Sequence, residues 1–296
     1  MTENTRNKTI SIITASLNQG KYIEKNILSI LSQEGDFYID FIIADGGSSD
    51  NTVEIIKKYD SLLKENKFPI KCSGVKLSYW SEKDSGQSSA LNRALRMAKG
   101  EIQAFIGSDD YYLPGAFQKV KEAFDDENLD FVYGKIERIF EDNPSKKDIE
   151  QDPRENETFE TLKTRGNSFG QQGTFYSKKI LDKVGLLDEN LRCCLDLDLW
   201  MRVFKYGKTK YVPEKLAVFR IWENSKTSTL NKRFNEEKKI IAKRYGGNLI
   251  PSMTIYKLRG KFSFLNKLKN CCPGFYNFLK KVFYNFIDFF KYSSEK

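Results

Sequence analysis

Short apolar runs and longer amphipathic stretches alternate along the first half of the chain. The run Thr9-Ile10-Ser11-Ile12-Ile13-Thr14-Ala15 is rich in β-branched residues and predicts a buried strand. After a break at Ser16-Leu17-Asn18-Gln19-Gly20, Tyr22, Ile23, Ile27, Ile30 and Leu31 recur at helical spacing. A second strand is expected over 39–44. It ends in Asp45-Gly46-Gly47-Ser48-Ser49-Asp50-Asn51-Thr52, a polar run that caps a helix carrying Val53, Ile56 and Tyr59. A third strand near 77–80 leads through Glu82-Lys83-Asp84-Ser85-Gly86-Gln87 to a helix over 88–99, which Gly100 ends. The fourth apolar run, Ile102, Ala104, Phe105 and Ile106, breaks at Gly107 and presents Asp109 and Asp110.

Strand–loop–helix units in succession predict an α/β fold with a parallel sheet, and ligands of such sheets bind outside the carboxyl ends of the strands. Two hard oxygen ligands at that place suit Mg²⁺ or Mn²⁺. Asp110 also fits a second role, capping the next helix, since caps favour the same residues. Further on, Ala116, Phe117, Val120, Ala123 and Phe124 predict an amphipathic helix, and 131–136 a strand. The polar stretch 141–160, with Pro144 and Pro153, reads as a mobile surface loop. Helices are expected at 178–184 and from Leu195, and a last strand at 216–220.

Composition narrows the chemistry. The chain has no histidine, which excludes histidine bases, histidine triads and histidine-ligated zinc. Its five cysteines show no metal-ligand spacing and suggest no disulfide framework. No apolar run approaches the roughly 20 residues of a membrane span, and the polar start carries no signal-peptide core, so a cytoplasmic protein is expected. Most of the net charge of +9 resides in the tail: residues 254–296 hold nine Lys/Arg against two Asp/Glu, and the first 253 hold 40 against 38. A nucleic-acid-binding face on the main domain is therefore not expected.

Over roughly residues 8–228 the order of motifs resembles the inverting family 2 glycosyltransferases of the GT-A fold, of the bacterial surface-polysaccharide type. The signals are Thr14-Ala15-Ser16-Leu17-Asn18-Gln19, Asp45-Gly46-Gly47-Ser48-Ser49-Asp50, Glu82-Lys83-Asp84-Ser85-Gly86-Gln87, Asn92, Gly107-Ser108-Asp109-Asp110, Gly170-Gln171-Gln172-Gly173-Thr174-Phe175 and Asp196-Leu197-Asp198-Leu199-Trp200. The resemblance implies a Rossmann-like, mostly parallel central sheet flanked by helices over 1–230. A basic, aromatic-rich helical extension follows over 231–296. The implied reaction moves a sugar from a nucleoside diphosphate, a UDP- or dTDP-sugar, to a hydroxyl of a glycan or lipid-linked acceptor, with Mg²⁺ or Mn²⁺ and with inversion.

Carried over by position, Thr14, Ser16, Asn18, Asp45, Asp84, Arg93, Ser108 and Asp109 are the implied nucleotide-sugar residues. Asp45 would accept from the base, or organise its own turn. Asp84 has the alternative of capping the following helix, and Arg93 that of an ordinary surface arginine. Asp109 and Asp110 are the implied metal ligands. Asp196 is the implied base, against the alternative of helix N-terminal charge stabilisation. Gln171, Gln172, Asp198 and Trp200 fall on the acceptor side, Trp200 fitting a core position as well. Two positions depart from the pattern: Gly107 replaces the first acid of the metal motif, and Trp222 stands where a histidine is often found. Lys226 and Arg220 offer positive charge to the leaving group.

Apolar positions from Phe275 to Phe290 follow helical spacing behind a basic segment. This tail suits an anionic membrane interface, or packing on its own domain or on a second copy in a homo-oligomer. Two other functions stay open at this level: a nucleotidyltransferase, for which no Gly-rich phosphate loop is found, and an inactive transferase-like partner subunit.

Overall fold

The computed structural model of the chain describes residues 7–143 and 148–247. Strands β1 (Lys8–Ser16), β2 (Glu34–Asp45), β3 (Lys71–Ser81) and β4 (Ile102–Gly107) pair in parallel in the order β3-β2-β1-β4. Helices α1 (Ile23–Leu31), α2 (Thr52–Lys64) and α3 (Gln87–Met97) connect them. Successive strand residues point to opposite faces. Ile10 and Ile12 join one core with Ile27 of α1 and Ile56 of α2, whereas Ile13 joins a second core with Leu91 of α3. Burial on both faces is why these strands read as nearly continuous apolar runs. The register sets Ala15 beside both Ala44 and Gly107, so the carboxyl ends of β1, β2 and β4 finish level.

Beyond β4, the elements β5 (Tyr111–Tyr112), α4 (Ala116–Ala123), β6 (Phe131–Phe140), β7 (Ile149–Gln151), α5 (Phe159–Arg165), a 3₁₀ turn (Gln171–Gly173), β8 (Thr174–Ser177), α6 (Lys178–Val184), α7 (Leu195–Tyr206), β9 (Thr209–Ile221), α8 (Lys226–Thr229) and α9 (Asn231–Arg244) follow. β8 inserts antiparallel between β4 and β6, and β6 pairs in parallel with β9. The sheet is thus parallel through its first half and mixed in its second.

Within the stretch expected as a mobile loop, residues 148–160 are instead ordered by specific contacts. β7 pairs antiparallel with β6, and Glu157, only 5% exposed, is gripped by the Arg154 guanidinium at 2.8 Å. Main-chain pairing and a buried ion pair hold this segment, neither of which leaves an apolar signature. Helix α9 closes the second core with Ile241. The expected amphipathic tail helix over 275–291 lies outside the described residues. No helix among the described residues is long and apolar enough to cross a membrane.

Candidate active site

A cavity of about 660 Å³ opens at the carboxyl end of β4. The 3₁₀ turn, the first turn of α7, α8 and α9 form its walls. Of the residues expected from the sequence, it gathers Asp109, Asp110, Gln171, Gln172, Asp196 and Trp200.

Asp110 is buried and fully engaged. One carboxylate oxygen accepts from the Arg220 backbone N–H at 2.8 Å, and the other from Gln172 Nε2 at 2.8 Å. Burial, and then the neighbouring Asp109 charge, push its carboxyl well above the ordinary range. Asp109 is different. Its Oδ2 accepts from the indole Nε1 of Trp222 at 2.9 Å, while Oδ1 accepts no hydrogen bond among the described residues. A Cβ at Gly107 would lie 2.7 Å from Asp109 Oδ1, so glycine leaves the space into which that carboxylate folds.

These contacts bear on the expected metal. Indole nitrogen only donates, so Trp222 supplies no ligand and occupies one Asp109 oxygen. Among the described residues no three His, Cys, Asp or Glu side chains cluster to hold an ion. At the end of β4, Asp109 Oδ1 is left as an open hard oxygen among the described residues. Mg²⁺ is commonly held by one or two carboxylates together with substrate phosphates, and this donor set fits a cation arriving with a diphosphate rather than one held by protein alone.

Asp196 lies in the first turn of α7 on the wall of the same cavity. Trp200, one turn on, sets that helix by donating Nε1–H to Tyr176 Oη at 2.8 Å and meeting Phe169 edge-on at 4.7 Å. Trp200 is therefore a core residue whose rim reaches the cavity. Asp196 Oδ1 accepts from the Leu197 N–H at 2.8 Å. Burial raises its carboxyl to about 6, against smaller opposing effects of that hydrogen bond and of Lys226. Lys226 lines the same cavity and donates to Gln87 Oε1 at 2.6 Å. Gln171 anchors the 3₁₀ turn on the Phe105 carbonyl.

Apart from Asp109 in the cavity and Arg93 on α3, the expected nucleotide residues lie at the ends of β1 and β2 and on the loops that follow β1, β3 and β4. Neighbouring strands are about 4.8 Å apart, which puts the end of β2 roughly 10 Å from the end of β4. Asp45 is buried and organises its own turn, accepting from the backbone N–H of Gly47 at 3.1 Å and of Ser48 at 2.9 Å and from Ser81 Oγ at 2.6 Å. Gly47, at φ +85°, lets this turn approach the Lys83 backbone, and Asp84 comes within 3.0 Å of where a Gly46 side chain would begin. Asp84 itself accepts from the Gly86 N–H at 2.9 Å. Asn18 ties the loops of β1 and β2 together, accepting from the Ser49 N–H at 2.9 Å. Thr14 bonds to buried Asn26 at 3.2 Å. Ser16 Oγ is buried without a hydrogen-bond partner among the described residues. Ser108 is buried beneath the β4 loop.

Three expected roles are not matched by position. Asp198 does not face the cavity: it is buried between Arg202 at 3.0 Å and Arg244 at 2.6 Å. Its place two residues after Asp196 turns it to another side of the helix. Arg93 is half-exposed, paired with Glu82 and lying 4.5 Å over the Trp80 ring, outside the cavity wall. Arg220 is engaged by Glu141 and by the Asp109 carbonyl at 2.9 Å, which takes its charge away from the cavity.

Sequence reasoning missed Glu237 of α9. Its carboxylate accepts from three consecutive backbone N–H groups, Arg192 at 2.9 Å, Cys193 at 2.8 Å and Cys194 at 2.9 Å. These residues run directly into Asp196. It also missed Arg138 and Lys238, both on the cavity wall. No local pattern marks them, because their partners lie far away in the chain.

A parallel half joined to a mixed half that delivers a carboxylate to the cleft is the architecture of the GT-A fold. The model of glycosyl transferase family 2 matches residues 11–185, and the chain belongs to that family. It is 27% identical over 219 residues to an uncharacterized glycosyltransferase of Nostoc sp., covering 72% of this chain and 64% of the relative. It is 26% identical over 220 residues to the putative teichuronic acid biosynthesis glycosyltransferase TuaG of Bacillus subtilis, covering 74% of this chain and 81% of TuaG. The fold is similar to that of S. aureus TarS 1–349 in complex with UDP-GlcNAc, with a TM-score of 0.62 at 20% identity, over 88% of this chain and 73% of that one. The chain is thus a glycosyltransferase of the GT-A fold.

Proposed function

We propose that this chain moves a sugar from a UDP- or dTDP-sugar to an acceptor hydroxyl by inverting displacement, in the synthesis of a cell-surface polysaccharide. The observation that carries this reading is a single cavity whose walls include both Asp109, at the end of β4, and Asp196, at the start of α7. The donor would lie across the loops of β1 to β3, with unpartnered Ser16 Oγ beneath it and its diphosphate at Asp109. A divalent cation entering with the diphosphate would rest on Asp109 Oδ1 and neutralise the leaving group. Lys226 adds positive charge there. Asp196, partly desolvated and poised near neutrality, takes the proton of the acceptor hydroxyl. The product names of TuaG and the ligand of TarS support a polysaccharide acceptor and a uridine donor. A lipid-linked acceptor would bring the enzyme to the membrane face, and the basic tail supports that placement.

Thermal stabilisation by UDP, dTDP and GDP, each with and without Mn²⁺, tests the donor end. UDP or dTDP should raise the melting temperature, more so with Mn²⁺, and Mn²⁺ alone should not. Stabilisation by none of the three would reject the reading. Trp222→His should restore a ligand and release Asp109 Oδ2, tightening Mn²⁺ in the presence of UDP by about tenfold, the usual scale of an added metal ligand contact. Unchanged Mn²⁺ affinity would show that the indole does not limit cation binding. A non-catalytic partner subunit, the reading favoured by Gly107 and Trp222, predicts no Mn²⁺-dependent shift and no hydrolysis of any nucleotide sugar.

A further inference from the structure

The cavity wall carries cations that form no ion pair with a carboxylate among the described residues. Arg138 projects from β6, and its Nε donates to the neutral Gln151 Oε1 at 2.9 Å. Burial lowers its pKa, the mark of a guanidinium desolvated without a compensating charge. Lys238 projects from α9, half-buried on the cavity wall, and pairs with no carboxylate among the described residues. Asn231 and Asn235 precede it on the same helix face and line the same wall. Exposed lysines elsewhere, such as Lys239 and Lys243 on the same helix, are solvated without a partner among the described residues, whereas Lys238 and Arg138 are partly withdrawn from water. The acids of the cavity form no ion pair with these two cations, and Asp196 acts on Lys238 only through space. Asp110 is enclosed by Gln172 and the Arg220 backbone, and Asp109 is held by Trp222.

We propose that the acceptor is anionic, a glycan or polyol chain with a carboxylate or phosphate near the reactive hydroxyl, and that Lys238 and Arg138 receive that anion. This rests on the transferase reading above. In an inverting displacement the base and the leaving group flank opposite faces of the sugar. Lys238 follows Glu237 on α9, the helix that clamps the turn leading into Asp196, which sets Lys238 at the base's end of the cavity. The Asn231 and Asn235 amides supply neutral hydrogen bonds to the hydroxyls between the charged groups.

The test uses the full chain and three acceptor probes of equal length: a uronic-acid oligosaccharide, a phosphodiester-linked polyol oligomer and a neutral oligosaccharide. Direct binding is measured by calorimetry without donor. One or both acidic probes should bind about tenfold or more tighter than the neutral one, with affinity falling as salt rises. Which acidic probe wins identifies carboxylate or phosphate as the anion. Lys238→Ala and Arg138→Gln should each weaken the acidic probe about tenfold while leaving UDP affinity and the melting temperature unchanged. Equal binding of all three probes overturns the proposal, as does a loss of UDP affinity in either variant, which would assign these cations to the diphosphate. Binding of an acidic probe by a chain that turns over no nucleotide sugar would sustain the anion site and sink the transferase reading instead.

Discussion

Asp196→Asn is expected to lower turnover by roughly 10²–10⁴, the usual contribution of a positioned base, with UDP affinity unchanged. The variant keeps size and hydrogen-bonding shape and removes only the ability to accept a proton as a charge. Near-normal transfer by the folded variant would reject the assignment. The wild-type rate should fall on the acid side with an apparent pKa near 6, because the base acts only when ionised. The same shift has a consequence for stability. The folded-state pKa is raised above the ordinary 3.8, so the ionised carboxylate opposes folding fully above about pH 6, and the opposition fades as pH falls toward 3.8. Asp196→Asn should therefore be more stable than wild type at pH 7.5, by on the order of 1–3 kcal/mol once partial access to the cavity is allowed for. That advantage should disappear near pH 4. Melting temperatures of the two proteins across this range measure it, and a less stable variant at pH 7.5 would show that the carboxylate is not strained by burial. A base that carries this cost is the familiar exchange of stability for activity at a functional site.

The parallel half of the molecule was legible because its signals are local. Apolar runs, helical spacing and glycine-broken ends each sit within a dozen residues, and the register then aligns the ends of β1, β2 and β4 automatically. Asp109 and Asp196 were legible for the same reason, each standing at an element end beside its own motif. Distances across the chain were not. Nothing near Thr174 states that β8 will insert between β4 and β6, and nothing near Gln151 states that β7 will edge β6. Trp222 could be read as a departure from the family pattern, but its hydrogen bond to Asp109 spans more than a hundred positions. Asp198 shows the converse: its sequence neighbourhood suggests the site, yet its place two residues on in the helix sends it to Arg202 and Arg244. The sequence boundary at residue 230 also left α9 in the extension, although this helix carries both Glu237 and Lys238 to the cavity wall and its neighbouring loop.

Glu237→Ala should impair the base without touching it. The Glu237 carboxylate is 2% exposed and takes three backbone N–H bonds together with Arg233 Nε at 2.8 Å. Burial acts to raise its pKa, but Arg233 and the three N–H groups outweigh it and hold the carboxyl below its usual range. Alanine leaves those N–H groups without an acceptor, at about 1–3 kcal/mol for each that water cannot reach. The Arg192–Cys194 turn then loses its anchor, and Asp196, two residues past Cys194, loses its fixed start of helix. A melting temperature lowered by several degrees is expected, with kcat reduced about tenfold or more when assayed well below it, since small misplacements of a base are costly. UDP affinity should hold, because the loops of β1 to β3 make no use of α9. The acid limb of the pH profile should move from about 6 toward the ordinary carboxylate range as the loosened turn admits water to Asp196. Glu237→Gln keeps one acceptor oxygen but turns an N–H₂ toward backbone donors, so it should rescue little. A folded Glu237→Ala enzyme with wild-type kcat and an unmoved acid limb would show that the clamp steadies α9 alone and leaves the base to position itself.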